Sequence, residues 1–458
     1  MNRSQFVLYL FLLIPIAILV SVSPEREVPG LFSDEAVYLG MTMSLARDFD
    51  LDWSRLDMER VCEYYPAGPV GVILRKNDDQ SIVFAKPPAF PLMAAPFFLL
   101  AGTSGILLLN FICVWLILRW LAIHWKLSLK SVCIAGGCLF FSAFMPYTLW
   151  IHPEIFTAFL LSGFCFHWLK YTESGNGKSM LYGALFLAVA CSIKPPLIIF
   201  GVPGAIQQLR KLKFRNILIF VSAMILLVAL TWALTGQMNP YEGNRKIFHT
   251  QFPLDSETDL FGQGDTWSTE QADFHFNSNV ILHDLFYFVF GRFSGALWYF
   301  FPGMFFGIIA LFQRENRQGR YLLIAFLLLV IIQIIMIPTN YHGGGGALGN
   351  RYFVNIYPAL LFALRRLPRI RTSVLGLGLA AALSGPFLVS PWQSSYAPGE
   401  FARSGFYSCL PVEWTLTGAL PVFHPDYYRV EIPGLPGHLH FLDNRIPGKK
   451  DDGFQVLS

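Results

Sequence analysis

Two neighbouring carboxylates, Asp34 and Glu35, are the residues of this chain best suited to acid–base chemistry. A carboxylate placed against a hydroxyl group can act as a general base, because it takes the proton as the oxygen attacks. Ser33 precedes the pair, and apolar residues then recur at a spacing of four: Val37, Met41 and Leu45. This pattern predicts an amphipathic helix capped by Ser33, with both carboxylates in its first turn. In the simpler alternative, the carboxylates only complement the helix dipole, for about 0.3–1 kcal/mol each.

Two lysines share one sequence context, Lys86-Pro87-Pro88 and Lys194-Pro195-Pro196. Proline turns the chain out of a continuous helix, and an ammonium group held in such a turn suits a phosphate. The alternative is that each lysine extends along apolar surface to reach water. Two arginines follow glycines. Arg292 comes directly after Gly291, and Arg351 comes after the four glycines at 343–346 and the segment Gly349-Asn350. A guanidinium binds phosphate through two hydrogen bonds, although the glycine run could also be a loop that binds nothing.

His152 and Glu154 are ionisable residues in an otherwise apolar hairpin. Such groups are costly at membrane depth unless they are paired, hydrated or bound to an ion. An imidazole and a carboxylate two residues apart could supply part of a divalent metal site. The alternative is a helix start, with Pro153 in the first turn and Glu154 beside the positive end of the dipole. The sequence leaves both interpretations open.

The composition is that of a membrane protein. Only 14% of the residues are charged and 54% are hydrophobic, and the mean hydropathy is +0.47. Since a soluble globular chain carries about 25% charged residues, this composition excludes a soluble enzyme, a disordered protein and a nucleic-acid-binding protein. The seven cysteines contain no CxxC pair, which argues against a disulfide scaffold or a zinc site. Only a bridge between Cys62 and Cys409, both in polar segments, stays open.

About eleven apolar runs approach the roughly 20 residues that a helix needs to cross the hydrocarbon core. They lie near 5–23, 103–122, 131–149, 154–171, 179–193, 195–209, 216–235, 294–312, 321–338, 352–366 and 372–391. Arg3 precedes the first run and Pro24 follows it closely. That arrangement predicts an uncleaved anchor rather than a cleaved signal peptide.

The distribution of basic residues predicts the topology. With the amino terminus in the cytoplasm, about half of the 34 basic residues fall into short inner loops that hold few acidic residues. By the positive-inside rule, the segments 24–102 and 236–293 then lie outside. The chain divides into a transmembrane domain, 1–391, and a short extracytoplasmic C-terminal segment, 392–458. The helix after Ser33 would lie along the outer membrane surface, and any chemistry would be extracytoplasmic.

This layout resembles that of the GT-C membrane glycosyltransferases, especially the protein O-mannosyltransferase and aminoarabinose transferase group. The shared features are an acidic pair after the first span, a Lys-Pro-Pro before the second, a short His-x-Glu loop and a late glycine-rich Arg-Tyr segment. The resemblance covers roughly residues 1–366 and is strongest over 30–100. This chain has Ala85 where the aminoarabinose transferases carry a glutamate.

The resemblance implies a role for each candidate residue. Asp34, with Glu35 beside it, would be the catalytic carboxylate that activates the acceptor. The donor phosphate would contact the four basic candidates: Lys86, Lys194, Arg292 and Arg351. A divalent metal ion would bind His152 and Glu154.

We therefore expect an all-α polytopic membrane protein with a GT-C-like fold, about eleven transmembrane helices and an amphipathic first extracytoplasmic loop. Its expected function is the transfer of a hexosyl or pentosyl group from a polyprenyl-phosphate donor to a lipid, glycan or protein acceptor. The reaction would take place on the outer face of the cell membrane, with a divalent metal ion as a candidate cofactor. The expected partners are the polyprenyl-phosphate-linked sugar and membrane lipids, and no nucleic acid.

Two other classes of function compete with this expectation. A transporter or flippase of a lipid-linked sugar would place ionisable residues deep inside several spans. The acidic residues of this chain instead cluster outside the predicted spans or at their ends. A catalytically silent scaffold on the same fold is the third alternative, because fold does not imply function.

Overall fold

In the computed structural model, most apolar runs of the sequence form helices. The model also describes many of the segments that connect these helices. The described residues are 3–21, 31–65, 68–77, 80–210, 214–239, 241, 243–249, 252–253, 261–262, 264–266, 278–344, 348–396, 402, 405–419, 429–430, 439–440 and 456–457.

The described part of the chain is mainly helical. The α-helices are α1 Arg3–Ser21, α2 Asp34–Arg47, α3 Arg55–Tyr64, α4 Ala89–His124, α5 Leu129–Phe140, α6 Phe144–Tyr147, α7 Glu154–Ser174, α8 Gly177–Ile193, α9 Val202–Arg210, α10 Phe214–Thr235, α11 Ser278–Phe290, α12 Ala296–Tyr299, α13 Phe301–Phe312, α14 Arg317–Met336, α15 Arg351–Phe362, α16 Ile370–Leu388, α17 Pro391–Tyr396 and α18 Gly405–Ser408. Short 3₁₀ helices cover Pro195–Gly201, Pro338–Asn340 and Trp414–Ala419.

Four helices among the described residues are long and apolar enough to cross a membrane by length and composition. They are Ala89–His124, Ile217–Thr235, Arg317–Met336 and Ile370–Leu388. Shorter apolar helices accompany them, among them α5, α8, α11 and α13. The protein is therefore a mostly helical membrane protein, as its composition indicates.

Several helix boundaries differ from the predicted spans. The predicted span 131–149 is interrupted, since α5 ends at Phe140 and α6 is a separate short helix. The predicted span 294–312 is likewise divided, because Phe300 has the non-helical angles φ −129° and ψ 34° between α12 and α13. In the other direction, α4 starts well before 103, with a break at Gly102, whose φ of 58° is accessible to glycine at little cost. Hydropathy averages over a window and does not register such local backbone breaks.

The expected amphipathic helix after Ser33 forms as α2, but it is not amphipathic. Every residue of α2 from Ala36 to Ala46 is buried, so the helix has no solvent-facing side over that length. Ser33 lies at the N-cap position with φ 53° and its side chain makes no capping hydrogen bond. The reason for the burial is that the rest of the first loop folds over α2: an added Cβ on Gly40 would lie 2.8 Å from the ring of Phe84.

A small β-sheet joins the two long segments that the sequence places outside. Its order is β4-β3-β5-β6, with strands β3 Val72–Lys76, β4 Ile82–Phe84, β5 Arg245–Phe248 and β6 Asp265–Thr266, all paired antiparallel. Smaller pairings involve β1 Leu31–Phe32 with β2 Pro69–Val70, and β7 Arg429–Val430 with β8 Leu439–His440 and β9 Val456–Leu457. The first loop and the segment after α10 are thus one structural layer, which an all-α prediction omits.

Polar contacts tie the C-terminal ends of α4 and α15 together. Trp125 Nε1 donates to the carbonyl of Leu364 at 2.9 Å, and Lys130 Nζ donates to the carbonyl of Pro368 at 2.7 Å. The turns that make these contacts carry basic residues that the sequence predicts to be cytoplasmic. These turns follow the C-termini of α4 and α15, at the ends of the two helices that are farthest from their N-termini.

Candidate active site

Six ionisable residues from five distant segments meet beside the N-termini of α2, α4, α7 and α15. Asp34 is the first residue of α2, Glu154 the first of α7 and Arg351 the first of α15, while Lys194 follows the last residue of α8. The members of this charge cluster are Asp34, Lys86, His152, Glu154, Lys194 and Arg351. Each lysine lies where one element ends and the prolines after it lead into the next helix, α4 after Pro88 and the 3₁₀ helix that begins at Pro195.

Asp34 lies between two cations. Its Oδ1 is 2.6 Å from Lys86 Nζ, and its Oδ2 accepts a hydrogen bond of 2.9 Å from Arg351 Nη1. Burial by itself would raise the pKa of Asp34, but the charges of Lys86 and Arg351 outweigh it and hold that pKa well below its usual range. The side chain is therefore a carboxylate at neutral pH.

The second carboxylate, Glu154, is held by three partners. It contacts Nδ1 of His152, and its Oε1 lies 3.7 Å from both Lys194 Nζ and Arg351 Nε. His152 Nε2 is 3.1 Å from Arg351 Nη1, a group that can only donate. Nε2 also lies 3.4 Å from Asp34 Oδ2, so His152 contacts both carboxylates of the charge cluster as well as Arg351.

Among the described residues, Glu35 forms no ion pair with the cations of the charge cluster. Its Oε1 accepts a hydrogen bond of 3.0 Å from the backbone amide of Ile151, and burial raises its pKa. That hydrogen bond holds the segment before α7, which contains His152, against the N-terminus of α2. Glu35 is thus placed to position the hairpin, and none of the contacts seen in the described residues supports the catalytic role that the sequence suggests for it.

Arg292 does not belong to the charge cluster. Its guanidinium donates to the carbonyl of Ser408 at 2.5 Å and to that of Leu410 at 3.0 and 3.1 Å. Since Nε and Nη2 donate to these carbonyls at and after the end of α18, the structure does not place Arg292 with the other predicted phosphate ligands. It anchors the described part of the C-terminal segment to the loop before α12. A Gly-Arg dipeptide does not show which acceptors are near, so the sequence does not separate Arg292 from the other basic candidates.

Two tyrosines that residue type and spacing do not single out, Tyr241 and Tyr352, line the same region. Lys194 Nζ lies 5.0 Å from the ring centre of Tyr352, and Arg351 is 5.6 Å from it. Tyr241 donates its hydroxyl to the carbonyl of Ile193 at 3.0 Å, next to Lys194. Only the position of Tyr352 beside Arg351 could have drawn attention to it. Tyr241 reaches the site through tertiary structure alone.

The donor set fits a resident metal ion poorly. Each oxygen of Asp34 already faces a cation, and Glu154 already faces the imidazole of His152 and the cations Lys194 and Arg351. A divalent ion would have to displace Lys86 or Arg351 from Asp34. In addition, the described residues contain no group of three or more histidine, cysteine and acidic side chains arranged to hold a metal ion. The arrangement therefore gives no support to the predicted metal site at His152 and Glu154.

The charge cluster carries a positive surplus, and its members differ in exposure. Three cations face two carboxylates and one imidazole. The exposed fractions of the side chains are 22% for Lys194, 16% for Arg351 and 10% for Lys86, but 1% for Glu154. Lys194 and Arg351 are thus the most exposed members, while Asp34, at 12%, is exposed to about the same degree as Lys86. The arrangement is suited to binding an oxyanion next to the Asp34 carboxylate.

The two cysteines that could have formed a bridge, Cys62 and Cys409, are both free thiols.

No model of a known protein family matches the chain, and comparisons with curated proteins and with solved structures found no significant match.

Proposed function

We propose that the protein is a glycosyltransferase that moves a sugar from a polyprenyl-phosphate donor to a hydroxyl group of an acceptor. The observation that carries the proposal is the placement of one carboxylate, Asp34, directly between two cations, Lys86 and Arg351, at the ends of apolar helices. A transferase of this kind needs a phosphate-binding group and a base within a few ångströms of each other, at a position that a lipid carrier can reach.

In the proposed reaction, the acceptor oxygen attacks the anomeric carbon of the sugar. The bond from that carbon to the phosphate oxygen breaks, and its electron pair leaves with the polyprenyl phosphate. Lys86, Arg351 and Lys194 stabilise the negative charge that develops on the leaving group. Asp34 accepts the proton of the acceptor hydroxyl. A single displacement of this kind inverts the configuration at the anomeric carbon.

Donor binding would also prepare Asp34 for its role. In the free protein, Lys86 and Arg351 hold the pKa of Asp34 well below its usual range, which makes it a weak base. A bound phosphate shares these two cations and so reduces their effect on the carboxylate. The pKa of Asp34 then rises, and its basicity increases only when the donor is in place.

The placement of the basic turns supports an extracytoplasmic site. The charge cluster lies beside the N-termini of α4 and α15, and the basic turns lie at the other ends of these helices. Under the positive-inside rule the basic turns are cytoplasmic, so the cluster faces outward. Our proposal therefore includes a multi-pass protein of the cell membrane with a GT-C-like fold, about eleven spans and an outer active site.

Native mass spectrometry of the protein purified in mild detergent tests the donor class. We expect a co-purified polyprenyl-phosphate sugar whose mass names the sugar, and its loss in Lys86→Ala and Arg351→Ala. Arg317→Ala is the matched control, since Arg317 is exposed and bonds to the hydroxyl of Tyr321 within α14. All variants are first compared by thermal unfolding, so that loss of the lipid is not confused with loss of the fold.

Two outcomes would contradict the proposal. One is the absence of any bound polyprenyl-phosphate sugar, even after synthetic donors are added. The other is movement of intact donor across a proteoliposome bilayer with no release of polyprenyl phosphate. The second result would favour the transporter or flippase alternative.

A further inference from the structure

Two buried arginines lie side by side next to the charge cluster. Arg75 on β3 is the register partner of Arg245 on β5, so the two side chains start from directly opposed positions of an antiparallel pair. They are 1% and 4% exposed. Like charges at opposed positions destabilise a sheet, and a buried guanidinium without an anionic partner is more costly still. The burial of this pair and the repulsion between its two charges therefore both oppose folding at this position.

The protein's own groups leave these guanidinium groups incompletely satisfied. Arg75 donates from Nη2 to the carbonyl of Thr235 at 2.7 Å and from Nε to Asn77 at 3.3 Å. Its Nη1 is buried and has no hydrogen-bond partner among the described residues. Arg245 stacks on Tyr241 at 5.5 Å from the ring centre. Within the described part of the chain, neither arginine has a carboxylate at salt-bridge distance.

Tyr241 connects this arginine pair to the charge cluster. Its ring lies under Arg245, and its hydroxyl bonds to the carbonyl of Ile193, the residue before Lys194. The field of Asp34 acts on Arg245 as well. Burial lowers the pKa of both arginines, and their mutual repulsion lowers that of Arg75 further, yet an arginine in a protein stays charged. The pair is a permanent source of positive charge beside the site.

We propose that Arg75 and Arg245 form a second oxyanion subsite, which binds a phosphate group in addition to the one held by Lys86 and Arg351. Two adjacent guanidinium groups match the geometry of a phosphate, because each presents paired N–H donors in one plane. A phosphate there would supply the acceptor that Arg75 Nη1 lacks and would screen the repulsion between the two arginines.

Two sources could provide this second phosphate. The donor could be a polyprenyl diphosphate sugar, whose two phosphates would occupy the two subsites together. Alternatively, the acceptor could be a phosphate-bearing lipid. Both have the same recognition chemistry, and this inference rests on the proposed function because it assumes that Lys86 and Arg351 bind a donor phosphate.

The test is a binding titration of the full-length protein in phosphatidylcholine nanodiscs, read by native mass spectrometry. The probes are polyprenyl monophosphate, polyprenyl diphosphate and phosphatidic acid. The variants are Arg245→Gln, Arg75→Gln and Lys86→Ala. The control is Arg317→Gln, since Arg317 stacks on a tyrosine at 5.4 Å, as Arg245 does, but is exposed. Thermal unfolding establishes that each variant is folded, and Arg245→Lys tests rescue by a conservative change.

Loss of one charged hydrogen-bonding partner typically weakens binding about 10–100-fold. If the donor is a diphosphate, Arg245→Gln should weaken polyprenyl diphosphate by that factor and leave the monophosphate unchanged. If the acceptor carries the second phosphate, the same variant should weaken phosphatidic acid instead. In either case Arg245→Lys should recover part of the affinity, and Arg317→Gln should match the unmodified protein.

The outcome separates this inference from the proposed function. Folded Arg245→Gln and Arg75→Gln proteins that bind all three probes normally would overturn the second subsite, while an effect of Lys86→Ala on the monophosphate would leave the proposed function standing. If Lys86→Ala changes no affinity but Arg245→Gln does, the proposed donor site is wrong and the arginine pair binds its phosphate independently.

Discussion

Replacing Asp34 by asparagine tests the proposed mechanism at the atom where the proton is transferred. The change removes the charge and basicity of the carboxylate but keeps its shape. Loss of a positioned general base slows a reaction about 10²–10⁴-fold. This factor corresponds to about 3–5 kcal/mol of transition-state stabilisation. We expect kcat of Asp34→Asn to fall by that factor.

The affinity for the donor should rise in Asp34→Asn, although kcat falls. Asp34 lies 2.6 Å from Lys86 Nζ and 2.9 Å from Arg351 Nη1, so it shares both cations with a bound phosphate. A phosphate oxygen at hydrogen-bonding distance from Lys86 would lie about 5 Å from the carboxylate. At that distance two unit charges in an effective dielectric of about 20 repel by about 3 kcal/mol. Asp34→Asn should therefore bind the donor more tightly, by roughly tenfold or more.

The assay measures both quantities on the same preparation. Native mass spectrometry gives the donor Kd, and chromatography with mass detection follows the release of polyprenyl phosphate in a single turnover. Asp48→Asn is the matched control, because it removes an exposed carboxylate that pairs with Arg60 on the surface. Normal turnover by a folded Asp34→Asn protein would refute the base assignment. Weaker donor binding by the same variant would refute the electrostatic reasoning.

Three further predictions concern the frame around the site. Burial raises the pKa of Glu413, which accepts hydrogen bonds from residues 293–294, from 4.5 to about 7. The folded state therefore binds one more proton than the unfolded state between these values, and stability falls as the pH rises through them, by roughly 3 kcal/mol in all. Asp284 adds a slope of the same sign, because burial raises its pKa from 3.8 to about 7 as well. Glu413→Gln should therefore reduce, but not abolish, the difference in stability between about pH 5 and about pH 8 in thermal unfolding, and an unchanged difference would contradict the assignment. Gly40→Ala should lower the unfolding midpoint, since its Cβ would lie 2.8 Å from the Phe84 ring, and a partial recovery in Gly40→Ala/Phe84→Leu would locate the cause. Arg292→Ala should speed proteolysis within 405–419, because Arg292 bonds to carbonyls of that segment, while the affinity for the donor stays normal. A loss of donor affinity without faster cleavage would instead support Arg292 as a phosphate ligand.

The overall class of the protein was predictable because it depends on composition. Apolar runs form helices in a membrane wherever they occur, since backbone groups there must bond within their own segment. The residues able to do chemistry were also identifiable, because ionisable groups among apolar neighbours are few: Asp34, His152, Glu154 and the two lysines before Pro-Pro were all selected by type and position. The structure brings these residues together, although their roles stay predictions.

The contacts of those residues were decided by tertiary structure alone. Arg351 and Asp34 form a hydrogen bond across 317 positions of the chain, whereas Arg292, a comparable residue by sequence, bonds to carbonyls of the C-terminal segment. Arg75 and Arg245 attract no notice as single residues and become a pair only through the register of β3 and β5. Residue type and local spacing determine what a side chain can do. Packing between distant segments determines which groups a side chain contacts and how far it is exposed to solvent. These two conditions decide its charge and therefore its chemistry.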